Sequence, residues 1–149
     1  MKALRALIIP TLALSFAVSA LAGEWMTDYK AALALSKKTG KPVLADFTGS
    51  DWCGWCIKLH KEVFDKPEFK AWAKKNVILL ELDYPQRKKL PAALQKQNDS
   101  LAAKYKIQGY PTVLFLSSKG DALATYGYDA GGPSVWTKKA SAMLKGKKA

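Results

Sequence analysis

Two short apolar runs, Val43-Leu44-Ala45-Asp46-Phe47 and Val77 to Leu82, flank a stretch with helical spacing, and no other feature limits the fold of this chain as much. Runs of this length that are almost continuously apolar suit strands covered on both faces, as in the middle of a sheet. Between them, Cys56, Leu59 and Val63 fall at i, i+3 and i+7, which is one face of a helix. Strands separated by a helix imply parallel pairing.

The rest of the chain extends this unit. Thr27 to Lys38 reads as a first helix, with Thr27 as its cap, Asp28 at its positive end, and Lys37-Lys38 before Gly40 at the other. Pro42 introduces the first strand, and Thr48-Gly49-Ser50-Asp51 is a turn-forming cluster after it. Pro67 interrupts the helix that starts near Cys53, and Glu68 to Lys75 continues in a new direction. Tyr84 to Leu90 is a basic loop. Leu94, Leu101 and Tyr105 then recur at helical spacing through Ala92 to Lys104. Thr112 to Leu116 is a third strand, Ser117 to Gly120 a turn, and Ala122 to Tyr126 a hairpin partner. Gly131-Gly132-Pro133 opens a last helix that runs to about Leu144. The expectation is an α/β domain: a mixed central sheet, parallel except for an antiparallel edge from the closing hairpin, with helices on both faces.

At 149 residues the chain holds one domain, and an apolar content of 49% with five tryptophans can fill its core. No internal repeat suggests a solenoid. Residues 1–22 have the three-part pattern of a secretory signal: Lys2 and Arg5, the apolar stretch Ala6 to Val18, then Ala20-Leu21-Ala22 as a cleavage site. The alternative is an uncleaved anchor, although the stretch is short of the roughly 20 residues a bilayer span needs. No cysteine lies near the site, which excludes a lipid-modified lipoprotein. The expected product is an exported domain of residues 23–149, with its core at about 27–145 and no membrane span, in the bacterial periplasm.

The net charge is +12, from 24 basic and 12 acidic side chains, and falls to +10 without the leader. Such a balance would favour acidic partners or an anionic surface. The plainer reading is a lysine-coated soluble face. No zinc-finger spacing or basic heptad helix accompanies the charge, so nucleic-acid binding is not indicated.

Cys53 and Cys56, the only cysteines, lie three positions apart. A bridge closing so small a loop removes little entropy from the unfolded chain, so its purpose is more chemical than structural. At a helix start, free N–H groups and the dipole stabilise a thiolate, the nucleophile of disulfide exchange. Cys53 would attack a substrate disulfide, and Cys56, one turn later, would resolve the mixed disulfide. Three other readings stay open to different degrees. Zinc needs four ligands, and Cys53, Cys56 and His60 supply three. His60 is more simply a partly exposed helix residue. Haem attachment needs a histidine where Ile57 stands. A structural disulfide is the third.

The segment Asp46-Phe47-Thr48-Gly49-Ser50-Asp51-Trp52-Cys53-Gly54-Trp55-Cys56 resembles the active-site strand and loop of the thioredoxin family. A second match, Ala103 to Thr112 with its Gly109-Tyr110-Pro111-Thr112, is similar to the same family and to protein disulfide isomerase domains. The likeness covers about Lys41 to Tyr126. It implies the thioredoxin fold, dithiol–disulfide exchange with exported proteins, and no metal or organic cofactor beyond the Cys53–Cys56 disulfide. It also implies an external electron donor or acceptor, for which a membrane carrier is the natural expectation.

Residue by residue, the resemblance makes Pro111 a cis-proline facing the disulfide, with an ordinary trans proline as the alternative. Tyr110 then lines a substrate groove through its backbone, beside Trp52, Gly54 and Trp55. Asp46 matches the buried acid that accepts the proton of Cys56, or else merely caps a strand end. Six residues separate Asp46 from Cys53 where thioredoxins have five. Trp55 stands where thioredoxins have proline and oxidising isomerases have histidine. It brings no positive charge to the thiolate, which favours a reductase over an oxidase. Trp52 and Trp55 could equally serve to shield and pack the loop. The competing class is a noncatalytic thioredoxin-like module that holds clients on this tryptophan-rich loop.

Overall fold

The computed structural model describes residues 23–149, and the secretory-signal reading of residues 1–22 lies outside them. Four strands form one sheet in the order β2-β1-β3-β4, from β1 (Val43–Thr48), β2 (Ile78–Asp83), β3 (Thr112–Leu116) and β4 (Ala122–Tyr126). Five α-helices surround it: α1 (Tyr29–Thr39), α2 (Gly54–Leu59), α3 (Pro67–Asn76), α4 (Ala92–Lys104) and α5 (Gly132–Leu144). This is the thioredoxin fold.

The sheet alternates its side chains between two cores. Val43, Ala45 and Phe47 pack with Ile78, Leu80, Leu82 and Leu101 on the α1–α4 face. Leu44 and Leu79 face α2, α3 and α5, where Trp136 is completely buried among Phe64, Phe69 and Phe115. Because successive strand residues point to opposite faces, Asp46 and Thr48 share the α2 face with Leu44. Register places Glu81 beside Asp46 and Asp83 beside Thr48. Three acids are thereby gathered on one sheet face beneath α2.

Two expectations are corrected. Asp28, and not Thr27, caps α1, accepting the Ala31 N–H at 2.9 Å. The third strand is antiparallel to β1, where helix-separated strands implied parallel pairing. The cause lies in α4. Its buried Asn98 donates to Asp83 O at the end of β2 (3.0 Å), and Tyr84 Oη donates back to Asn98 O. Helix α4 is therefore tethered at its middle to the end where β2 finishes, and it does not carry the chain to the far end. The chain re-enters the sheet at that same end, with Thr112 opposite Phe47.

Between α2 and α3 the helix widens into a π turn, His60–Phe64, closed by Asp65 N to His60 O at 2.9 Å. Pro67 then opens α3 at a position where its missing N–H costs nothing. The hairpin turn before β4 requires Gly120, whose φ is +81° and whose added Cβ would lie 2.3 Å from Tyr29 Oη. Outside the sheet, Met26 borders β2 in parallel through Met26 N to Leu79 O and Glu81 N to Met26 O, 2.9 and 2.8 Å. No helix among the described residues is long and apolar enough to cross a membrane.

Candidate active site

Cys53 and Cys56 are joined in a disulfide, with their Cα atoms 5.2 Å apart. Cys53 is the N-cap of α2, and its Sγ accepts the Cys56 N–H at 3.2 Å. A sulfur here receives the unsatisfied N–H and the positive end of the helix, which favour a thiolate once the bridge is opened. Cys53 is the outer sulfur, 6% exposed against 1% for Cys56. A Cβ at Gly54 would meet nothing within 4 Å, so the space beside the bridge is open there.

The loop ahead of Cys53 takes up its length in a tight turn. Trp52 N and Cys53 N both donate to Gly49 O, at 3.3 and 2.9 Å. Trp52 folds back over Gly49, where an added Cβ would lie 2.5 Å from the indole. Beyond this turn, Asp46 lies on the sheet face under α2 and bonds His60.

The turn is fastened to the loop after β2. Ser50 donates from N and Oγ to the two Asp83 oxygens, at 2.9 and 2.7 Å. Asp51 accepts Gln86 N and Arg87 N at 2.9 and 2.8 Å, which hold its carboxyl below the usual range. Trp52 Nε1 donates to Tyr84 O at 2.7 Å, and Lys88 pairs with Asp83 at 3.1 Å. By its composition 84–90 is a basic loop. Its backbone forms a wall of the site, and no local pattern could show that.

Two aromatic pairs are built on the residues next to the cysteines. Trp52 meets Tyr110 edge to face at 5.9 Å, and the Tyr110–Pro111 bond is cis. The second segment singled out in the sequence thus lies against the loop that carries Cys53. On the other side Trp55 lies 5.1 Å from Tyr128, with Lys58 Nζ near both rings and Glu62 accepting the Tyr128 hydroxyl at 2.6 Å. Trp52 and Trp55 are 39% and 57% exposed, large apolar surfaces left facing solvent. Tyr128 was not singled out in the sequence, and nothing local to it marks the contact.

Beneath the disulfide the chemistry is polar. Asp46 is wholly buried, and its Oδ2 lies 2.9 Å from His60 Nε2. Burial pushes the Asp46 carboxyl above the ordinary range, and the bond and charge of His60 pull against that rise. Burial alone would lower the imidazole, but its bond to Asp46 and the charges of Asp46, Glu81 and Asp65 raise it instead. Glu81 is raised by burial and by the neighbouring Asp83. By sequence His60 is a partly exposed helix residue or a metal-ligand candidate, and the structure pairs it instead with the buried Asp46. His60 stands one helical turn after Cys56, on the same inward face.

A thioredoxin fold with a Cys-x-x-Cys disulfide at a helix start has the architecture of a thiol–disulfide exchange protein, and the redox group belongs to the chain itself. A family model described as a thioredoxin-like domain matches residues 29–130. The disulfide bond reductase DsbH of Chlamydia pneumoniae is 37% identical over 122 residues, which are 82% of this chain and 73% of that protein. The thioredoxin-related protein DsbJ of the same organism is 37% identical over 93 residues, 62% of this chain but 27% of its own length. A solved DsbH oxidoreductase, 36% identical, superposes with a TM-score of 0.79 over 83% of this chain and 85% of that one. The chain belongs to the thioredoxin-like domain family, and it is a protein thiol:disulfide oxidoreductase.

Proposed function

We propose that the protein reduces disulfides in exported proteins, with Cys53 as nucleophile and Cys56 as resolving thiol. The observation that carries this reading is the placing of the two sulfurs. The outer one caps a helix beside the exposed Trp52 and Trp55, and the inner one lines a pocket with His60, whose ring bonds the buried Asp46. The Cys53 thiolate attacks a substrate disulfide and forms a mixed disulfide as the first substrate sulfur departs. Cys56 then attacks Cys53, which closes the 53–56 bridge and releases the second substrate sulfur. Asp46 takes the Cys56 proton in that step.

Trp52, Trp55, Tyr110 and Pro111 form the surface for an extended client, and Gly54 leaves room beside the sulfurs. Similarity to a disulfide bond reductase and the uncharged Trp55 both support the reducing direction. The reaction needs no metal or organic cofactor. Each turnover oxidises the chain's only dithiol, so an external donor must restore it, and a membrane electron carrier fits an exported protein. Residues 1–22 act as the signal that sends the domain to the periplasm.

Insulin reduction driven by dithiothreitol tests the activity, and Cys53→Ser should lower it to background. A reduction potential near thioredoxin's, about −270 mV, supports the direction, and one near about −120 mV would reverse it.

A further inference from the structure

The underside of α2 holds more polar groups than two sulfurs and one acid require. The Asp46 side chain is 1% exposed and that of His60 24%, and the two meet at 2.9 Å. Asp46 Oδ1 and Thr48 Oγ1, on the same sheet face, are buried with no protein partner. Beside them opens a pocket of about 260 Å³ whose lining includes Cys56, His60, Thr48 and Glu81. Cys56 and His60 thus reach one solvent-connected space, while the carboxylate between the strand and the helix does not line it.

We propose that His60 is the positioning residue that makes the sealed carboxylate of Asp46 usable as a base and links it to the pocket. This rests on the reading of Asp46 as the proton acceptor for Cys56. A carboxylate without water prefers to be neutral, and a neutral Asp46 could take no proton from a thiol. His60 is its sole side-chain hydrogen-bond partner among the described residues. The Nε2–H bond to Oδ2, with positive charge when the ring is protonated, keeps the carboxylate ionised and leaves Oδ1 free.

In the resolving step, the Cys56 S–H proton passes to Asp46 Oδ1. The sulfur's electron pair forms the Cys53–Cys56 bond, and the mixed-disulfide bond breaks. The departing substrate sulfur keeps that bond's pair and takes a proton from solvent. The enzyme dithiol is oxidised and the substrate disulfide reduced. The proton left on the dyad is given up through the ring that lines the pocket, Nδ1 being its second proton site. The charges facing His60 are Asp46 from β1, Glu81 from β2 with Asp83 beyond it, and Asp65 after the π turn, with Lys61 on the pocket rim.

A purely structural His60 is the rival account, since the ring packs on Trp25 and Phe64 at 5.7 and 5.1 Å. The two separate in the pH profile of resolution. Reduced protein is mixed with hydroxyethyl disulfide at saturating concentration, so that closure of the 53–56 bridge limits the rate, and tryptophan fluorescence follows it. His60→Phe should move the rising limb up by at least one pH unit, slow closure about tenfold at pH 7, and recover at high pH. His60→Gln keeps an N–H donor without charge or second proton site, so it should shift the limb less. It also serves if the phenylalanine variant folds poorly. Asp46→Asn should be slow across neutral pH, and adding His60→Phe to it should change nothing further. If Asp46→Asn is slow but both His60 variants keep the wild-type limb, or are slowed equally at every pH, His60 is structural and the proposal fails. If Asp46→Asn closes as fast as wild type, the reading of Asp46 itself falls.

Discussion

The disulfide separates two environments that have little in common. Outside it, Trp52 and Trp55 present apolar rings to water beside the half-buried Tyr110 and Tyr128, and Lys58 lies over the Trp55 and Tyr128 rings. Beneath it, Asp46, His60 and Glu81 lie among buried side chains, where each charge is costly. The outer side suits many different clients, because aromatic faces bind without demanding a sequence. The inner side suits one repeated event, the movement of a proton. On the proposed reading, recognition can stay loose because the acid–base groups sit on the other side of the second sulfur from these rings.

The sharpest way to break this comparison is to remove the sulfurs one at a time. Cys53→Ser should abolish exchange, whereas Cys56→Ser should stop turnover yet accumulate a covalent complex with client, seen on non-reducing gels. Equal loss without that complex would show that the outer sulfur is not the nucleophile.

The next effect concerns the wall between the two environments. Asp83→Asn weakens the bonds to Ser50 and Lys88 at a nearly buried site. It should cost about 1–3 kcal/mol in chemical denaturation, with exchange of small neutral disulfides little changed. On the outer side, Trp55→Ala should raise KM for insulin several-fold and leave kcat near wild type, the pattern of lost ground-state binding. A fall in kcat with KM unchanged would move Trp55 into the chemistry.

The smallest effect is a slope. Asp46 and His60 both hold their protons more tightly in the folded chain than in the unfolded one. Unfolding therefore releases protons; the Asp46 part begins to be lost above the ordinary carboxylate range, and the part owed to His60 is complete only below imidazole's ordinary value of about 6.5. The His60 part is lost as pH rises through the raised folded value. The melting temperature should decline over that window, and Asp46→Asn should flatten the decline. Asp51 and Asp129, both held below the usual carboxylate range, act oppositely and only in acid.

Much of the fold could be read because its signals are local. The bounds of β3 and β4 follow from Pro111, the Ser117 to Gly120 turn and the apolar run itself, and the structure reproduces both. The direction of β3 could not be read, since it depends on Asn98 reaching Asp83 O across 15 positions. The two cysteines were legible from spacing and the family match. His60 was not, because its partner is 14 residues away and faces it only through strand register and the helix above. The wall built from residues 84–88 was hidden for the same reason, being made of backbone groups whose partners are set by tertiary structure.

Met26 occupies the outer border of β2 with two backbone hydrogen bonds. Extended segments of other chains can add themselves to an open sheet margin. By filling the middle of that margin with its own backbone, the chain leaves β2 without an open run for strand addition. An added strand would have to pair with β4 instead, at the opposite border of the sheet.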